Sequence, residues 1–179
     1  MGRPFIRNTF SRLLISSLLS IITSASYAAN YVEGSFGIAW LASDNSELDS
    51  NTYAPYRIHY GHQISRNRFL ETGYLGGDNY EDEAKDDLEM DMIYIKLKHF
   101  YKINDSYAIY AKVGTAAYRY YLENDDSSIS KKNGLGLSVS AGYEFTLENN
   151  FSVGLEYEHF NTVRFRSNTL NANVKYHFM

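Results

Sequence analysis

The stretch LNANVKYHF, residues 170–178, decides how this chain is read. Leu170, Ala172, Val174, Tyr176 and Phe178 alternate strictly with Asn171, Asn173, Lys175 and His177. A period of two belongs to a strand with one apolar and one polar face. The apolar face ends in two aromatics.

Working back from this stretch, the same alternation recurs over residues 31–41, 53–64, 69–75, 92–101, 107–120, 135–147 and 151–160, giving eight segments in all. Residues 135–147 are nearly regular: Leu137, Val139, Ala141, Tyr143 and Phe145 oppose Ser138, Ser140, Gly142 and Glu144. The third segment is the least regular, because Phe69 and Leu75 break its parity. Short turns are expected at 65–67, 104–105 and 148–150. Longer polar connections are expected at 43–52, 76–91 and 122–133, with a brief one at 161–165. Strands of about ten alternating residues, joined by turns on one side and loops on the other, predict an all-β, eight-stranded antiparallel up-and-down transmembrane barrel.

The N-terminus supports this reading. Arg3, Arg7 and Arg12 precede an apolar run over 13–22 and the small-x-small triplet Ser26-Tyr27-Ala28, with no acid before Glu33. That is the layout of a secretory signal peptide. Residues 1–28 are expected to be a cleaved signal and 29–179 one barrel domain in the outer membrane. Cleavage would take the formal charge from −4 to −7, which argues against nucleic acid as a partner. There is no Cys, and no segment predicts a cofactor or a catalytic group.

A soluble sandwich or lipocalin-like barrel would turn the apolar faces inward. Three features argue for the inside-out alternative. Tyr56, Tyr107, Tyr143 and Tyr176 lie on apolar faces near strand ends, as in the aromatic girdles of membrane barrels. The polar faces are rich in Gly, Ala and Ser, which suits a narrow lumen filled by side chains. The charges on those faces balance. Glu33, Glu71, Glu144, Glu156 and Glu158 stand against Arg57, Lys96, Lys98, Lys112 and Lys175, as a weakly hydrated interior requires. Glu144 and Lys112, on neighbouring strands, are expected to be close.

On these residues the chain resembles small outer-membrane barrels of the OmpA/OmpX/Ail kind. The match is strongest over residues 133–178, from the Gly-rich strand beginning at Gly134 to the terminal Lys175-Tyr-His-Phe. The even strand count, with the C-terminal segment itself a strand, predicts both termini in the periplasm. The resemblance implies a monomer embedded among outer-membrane lipid and lipopolysaccharide. It implies a non-enzymatic scaffold whose extracellular loops serve envelope integrity or adhesion to a host or surface ligand. It also implies assembly through the C-terminal strand, with Tyr176 and Phe178 as the recognised signal, although here Met179 follows the terminal Phe.

Two other functions compete with this reading. A lipid A deacylase of this architecture uses a His-x-Ser pair. The nearest match is His159-Phe160-Asn161, and Asn is no nucleophile. A small channel would need a lumen that Tyr110, Tyr118, Arg57 and the lysines leave open. The acidic run Asp78, Glu81, Asp82, Glu83, Asp86, Asp87 and Glu89 has the length of a calcium loop but carries Glu83 where the turn requires Gly. That excludes an EF-hand; the run reads first as a solvated, mobile loop, with loose divalent-cation binding as the alternative.

Overall fold

The computed structural model describes residues 29–43, 52–79, 87–123, 129–147, 150–163 and 165–178. The expected signal segment and most of the acidic 78–91 run lie outside these residues. Eight strands follow one another in the chain: β1 (Asn30–Ser43), β2 (Thr52–Ser65), β3 (Arg68–Asn79), β4 (Asp87–Lys102), β5 (Tyr107–Glu123), β6 (Ile129–Thr146), β7 (Phe151–Thr162) and β8 (Phe165–Phe178). Each pairs with its sequence neighbour, and β1 pairs with β8 from Asn30↔Phe178 to Ser43↔Phe165, closing the barrel. Closure leaves no free edge around the ring, so the backbone needs no water for its hydrogen bonds.

Local chemistry makes the tight end. Asn104 Oδ1 accepts from the backbone N–H of Ser106 (3.0 Å) and Tyr107 (2.8 Å), an Asx-type turn. Asn150 takes the left-handed conformation, φ 67°, before β7. Pro55 cannot donate to a ladder, and β1–β2 pairing is interrupted beside it, between Phe36↔Tyr56 and Ala39↔Tyr53, then resumes in the same register.

The outward faces carry Phe36, Ile58, Ile95, Val113, Leu137 and Leu155, all exposed. The inward faces carry the charges. Phe69 and Leu75, which broke the parity of the third segment, are both buried and point inward with Glu71 and Gly73.

The strands are longer than the alternation predicted, and most of the expected loops are shorter. Residues 76–79, 87–91, 122–123 and 129–133 are strand, not connection. The reason is a reversal of face polarity. Along β4, Ile93, Ile95 and Leu97 face outward while Lys96 and Lys98 face inward. Toward the Asp87 end the parity continues but the chemistry swaps: Met90 and Met92 are buried inside, and Glu89 and Asp91 share the outer face. β8 does the same, with Phe165 buried and Arg166 exposed. These strand ends form a collar with an apolar inside and a polar outside. The collar is uneven. β6 runs seven residues past its last pairing with β7, Gly136↔Thr162.

Candidate functional site

The interior has two layers. All ten charged residues picked out from sequence project into the first, and every strand supplies at least one. Lys112 Nζ lies 2.9 Å from Glu71, 2.8 Å from Glu156 and 3.9 Å from Glu33. Arg57 Nη1 lies 3.1 Å from Glu156 and 2.5 Å from Glu158. Lys96 reaches Glu158 at 2.6 Å, Lys175 reaches Glu33 at 3.1 Å and also bonds Glu144, and Lys98 reaches Glu144 at 3.0 Å. These contacts join all five acids and all five bases into one network.

Glu144 and Lys112 are not partners, contrary to expectation. Register explains it: Lys112 pairs with Ser140 and Ala108 with Glu144, so the two side chains enter the lumen four residues apart along the strand. At about 3.3 Å per residue that is roughly 13 Å. Long side chains instead cross to non-adjacent strands, as Lys98 of β4 does to Glu144 of β6.

Other members escaped the sequence reading. His59 Nε2 is 3.4 Å from Glu33 and 3.7 Å from Glu71, and its Nδ1 is 3.0 Å from the Tyr94 hydroxyl. Tyr31 donates to Glu71, and Ser138 donates to Glu158 at 2.5 Å. Lys98 sits 4.0 Å over the Tyr110 ring and Lys175 sits 4.4 Å over Tyr31, contacts that favour a desolvated cation. Parity alone marks these residues as inward. Their roles come from contacts across the lumen, which no local pattern records.

The second layer, inside the collar, is apolar. Leu41, Tyr53, Leu75, Met90, Met92, Tyr118, Tyr120, Phe160 and Phe165 are all buried there. Tyr118 meets Phe165 edge-on at 5.2 Å and stacks near Tyr120 at 6.2 Å. Glycines make room for the rings. A Cβ on Gly136 would come within 2.4 Å of the Phe160 ring, and one on Gly134 within 2.7 Å of Tyr118. Aromatic fill of this kind is what a soluble core uses.

The arrangement offers little for chemistry. Each acid is matched by cations, and the paired side chains are nearly inaccessible; Glu144, the most open of the ten, is 14% exposed. His159 and Asn161 face outward with Phe160 between them pointing in, and His159 bonds Asn168 rather than a hydroxyl. Among the described residues, no group of three or more His, Cys, Asp or Glu is placed to hold a metal ion.

An apolar outside wrapped around a charged, ion-paired inside is the organisation of a β-barrel built to sit in a membrane. The chain belongs to the outer membrane protein β-barrel domain family, whose sequence profile it matches over residues 12–178. It is therefore a protein of the outer membrane. Solved structures agree on the fold. The barrel is similar to neisserial surface protein A (22% identity, TM-score 0.71, covering 84% of this chain and 99% of that one). It is also similar to the attachment invasion locus protein Ail of Yersinia pestis (14%, TM-score 0.64, covering 86% and 100%). The N-terminal barrel domain of Pseudomonas aeruginosa OprF is a third (13%, TM-score 0.64, covering 83% and 97%). No curated protein matches the chain.

Proposed function

We propose that this barrel is a non-enzymatic, monomeric scaffold that holds its collar and loops at the cell surface for recognition, adhesion or envelope integrity. The observation that carries the reading is the reversal of face polarity. A strand segment with Met90 and Met92 inside and Glu89 and Asp91 outside suits water, not lipid. The four strands β3 to β6 therefore continue as a folded, water-facing wall. In the proposed orientation the termini and tight turns are periplasmic and the collar is extracellular, as the even strand number favours.

The likeness to Ail supports a surface role. Ail is by name an attachment invasion protein, and it has been solved with the heparin analogue sucrose octasulfate. The doubly filled lumen supports a scaffold over a channel, since eight strands leave an interior that side chains can fill. Residues 1–28 act as the export signal in this proposal, and Tyr176 and Phe178 present the C-terminal strand to the assembly machinery.

The test combines two measurements. Purified barrel in planar bilayers is expected to give no discrete conductance steps. A deletion strain is expected to lose surface binding or detergent resistance, restored by the intact gene and not by a version lacking residues 80–86 and 124–128. Stable single-channel currents, or full complementation by the trimmed version with no change in binding, would defeat the proposal.

A further inference from the structure

One polar cluster interrupts the apolar outer face. Asn168 of β8 accepts at its Oδ1 from the Tyr157 hydroxyl (2.8 Å), and the same oxygen lies 2.8 Å from His159 Nδ1. His159 pairs directly with Asn168 across β7–β8, and Asn168 pairs with Trp40 of β1 on its other side. The neighbours toward the band centre are apolar and exposed: Val139, Leu170 and Ile38. Two residues toward the collar, on the same face, stands the exposed Arg166, opposite Asn161.

Polar groups facing hydrocarbon are costly unless satisfied. The three side chains satisfy one another only in part. With Oδ1 taken twice, the Asn168 amide nitrogen and His159 Nε2 remain. Neither has a protein partner among the described residues, and neither does the Arg166 guanidinium. Arg166 and Asn168, two residues apart on one strand face, are separated by about 7 Å along it. The cluster thus offers a cation on the collar side, an amide donor and a ring nitrogen just inside the apolar band, and an indole alongside, half exposed.

We infer that Arg166, Asn168, His159, Tyr157 and Trp40 form a seat for one phosphorylated, acylated glycolipid of the outer leaflet. Arg166 pairs with a headgroup phosphate. The Asn168 amide donates to an acyl carbonyl or sugar oxygen below it. His159 Nε2 accepts from a hydroxyl or amide N–H of the same molecule, with its tautomer fixed by Asn168. Trp40 and Leu170 flank the first carbons of the chains. This rests on the proposed orientation, in which the β7–β8 turn lies outside the cell.

The test measures lipid retention on the full barrel in micelles by native mass spectrometry. The probes are diphosphoryl lipid A, the same lipid dephosphorylated, phosphatidylglycerol, and inorganic phosphate as competitor. Wild type is expected to keep one diphosphoryl lipid A. Arg166→Gln and removal of the lipid phosphates are each expected to weaken retention about tenfold, and Asn168→Leu several-fold. Lys131→Gln removes an exposed cation elsewhere on the outer face and is expected to change nothing. Equal retention by Arg166→Gln and Asn168→Leu would overturn the seat. So would an equal loss in Lys131→Gln, which would mean unspecific charge attraction. Displacement by millimolar phosphate alone would make it a free-anion site, and preference for phosphatidylglycerol would remove the glycolipid. Orientation is read separately. The chain has no Cys, so Val163→Cys, at a fully exposed position in the β7–β8 turn, should react with an impermeant maleimide on intact cells. Failure to label, with specific retention intact, would sink the orientation and leave the seat.

Discussion

Removing Glu144 is the sharpest perturbation of the lumen network. Among the described residues it is the only carboxylate within ion-pair distance of Lys98, and it shares Lys175 with Glu33. Glu144→Gln therefore leaves Lys98 as a buried cation without an anion, while Lys175 keeps Glu33 at 3.1 Å. Breaking a fully buried pair costs about 3–5 kcal/mol. Glu144 is the most open member, so about 2–3 kcal/mol is expected here, because water reaches the orphaned charge. Lys98→Met alone leaves Glu144 paired with Lys175 and should cost about 1–2 kcal/mol. The double variant removes the stranded charge and restores the balance of the lumen. It should cost about 2 kcal/mol, well under the sum, a coupling of the size expected for residues in contact. Lys112→Met combined with Glu144→Gln is the control. Lys112 pairs with Glu33, Glu71 and Glu156 instead, so its effect should add to within about 1 kcal/mol. Urea unfolding in lipid vesicles, followed by fluorescence of Trp40, the single Trp, gives all the values. If the Glu144→Gln/Lys98→Met loss equals the sum of its singles, the cross-lumen pairing is wrong.

Three further outcomes are expected. Val139→Arg, on an exposed lipid-facing position of β6, should cost about 2–4 kcal/mol near the bilayer midplane; Ser138→Ala, which loses one hydrogen bond to Glu158, should cost only about 1 kcal/mol. The same vesicle titration checks both, and normal folding of Val139→Arg would reverse the assigned faces. Phe165→Ala should cost about 3–5 kcal/mol, as in a soluble core, because Phe165 packs against Tyr118, Tyr120 and Phe160; a loss under 1 kcal/mol would mean the collar is not a core. A broad-specificity protease added to intact cells should cut near Lys85 and spare the turn at Asn149, and the opposite pattern would invert the topology.

Much of this was legible in sequence because lipid imposes a simple rule. Where one face meets hydrocarbon, alternation is strict, and β6 between Leu135 and Tyr143 alternates outward and inward as its sequence does. The rule fails where the solvent changes. Residues 76–79 and 87–91, with their Gly, Asp and Glu, look like a loop because the outward face has become polar, yet the ladder continues through Asp78↔Glu89. Phe69 and Leu75 looked like errors of parity for the complementary reason, being apolar residues turned inward. Ion-pair partners were the least legible part. Strand register brings Lys112 opposite Ser140, but a lysine spans much of a narrow lumen, so its partner is chosen across the barrel rather than along the sheet.

The two layers assign different tasks to one continuous sheet. In the band, the outside is apolar and the inside is held by ion pairs. Those pairs contribute little net stability against a hydrophobic filling, yet removing a member strands any partner that has no second counter-ion, as loss of Glu144 does to Lys98. That makes the lumen intolerant of single changes while offering nothing to a ligand. In the collar, burial of Met90, Met92, Tyr118, Phe160 and Phe165 supplies ordinary hydrophobic stabilisation, and the outer face is polar, with Asp91 accepting from the Tyr74 hydroxyl. On the proposed surface role, recognition would vary at Glu89, Lys131 or the connecting loops while the barrel below stays the same. The cluster around Asn168 lies at the boundary between the two regimes, where a side chain can meet a lipid headgroup without leaving either layer.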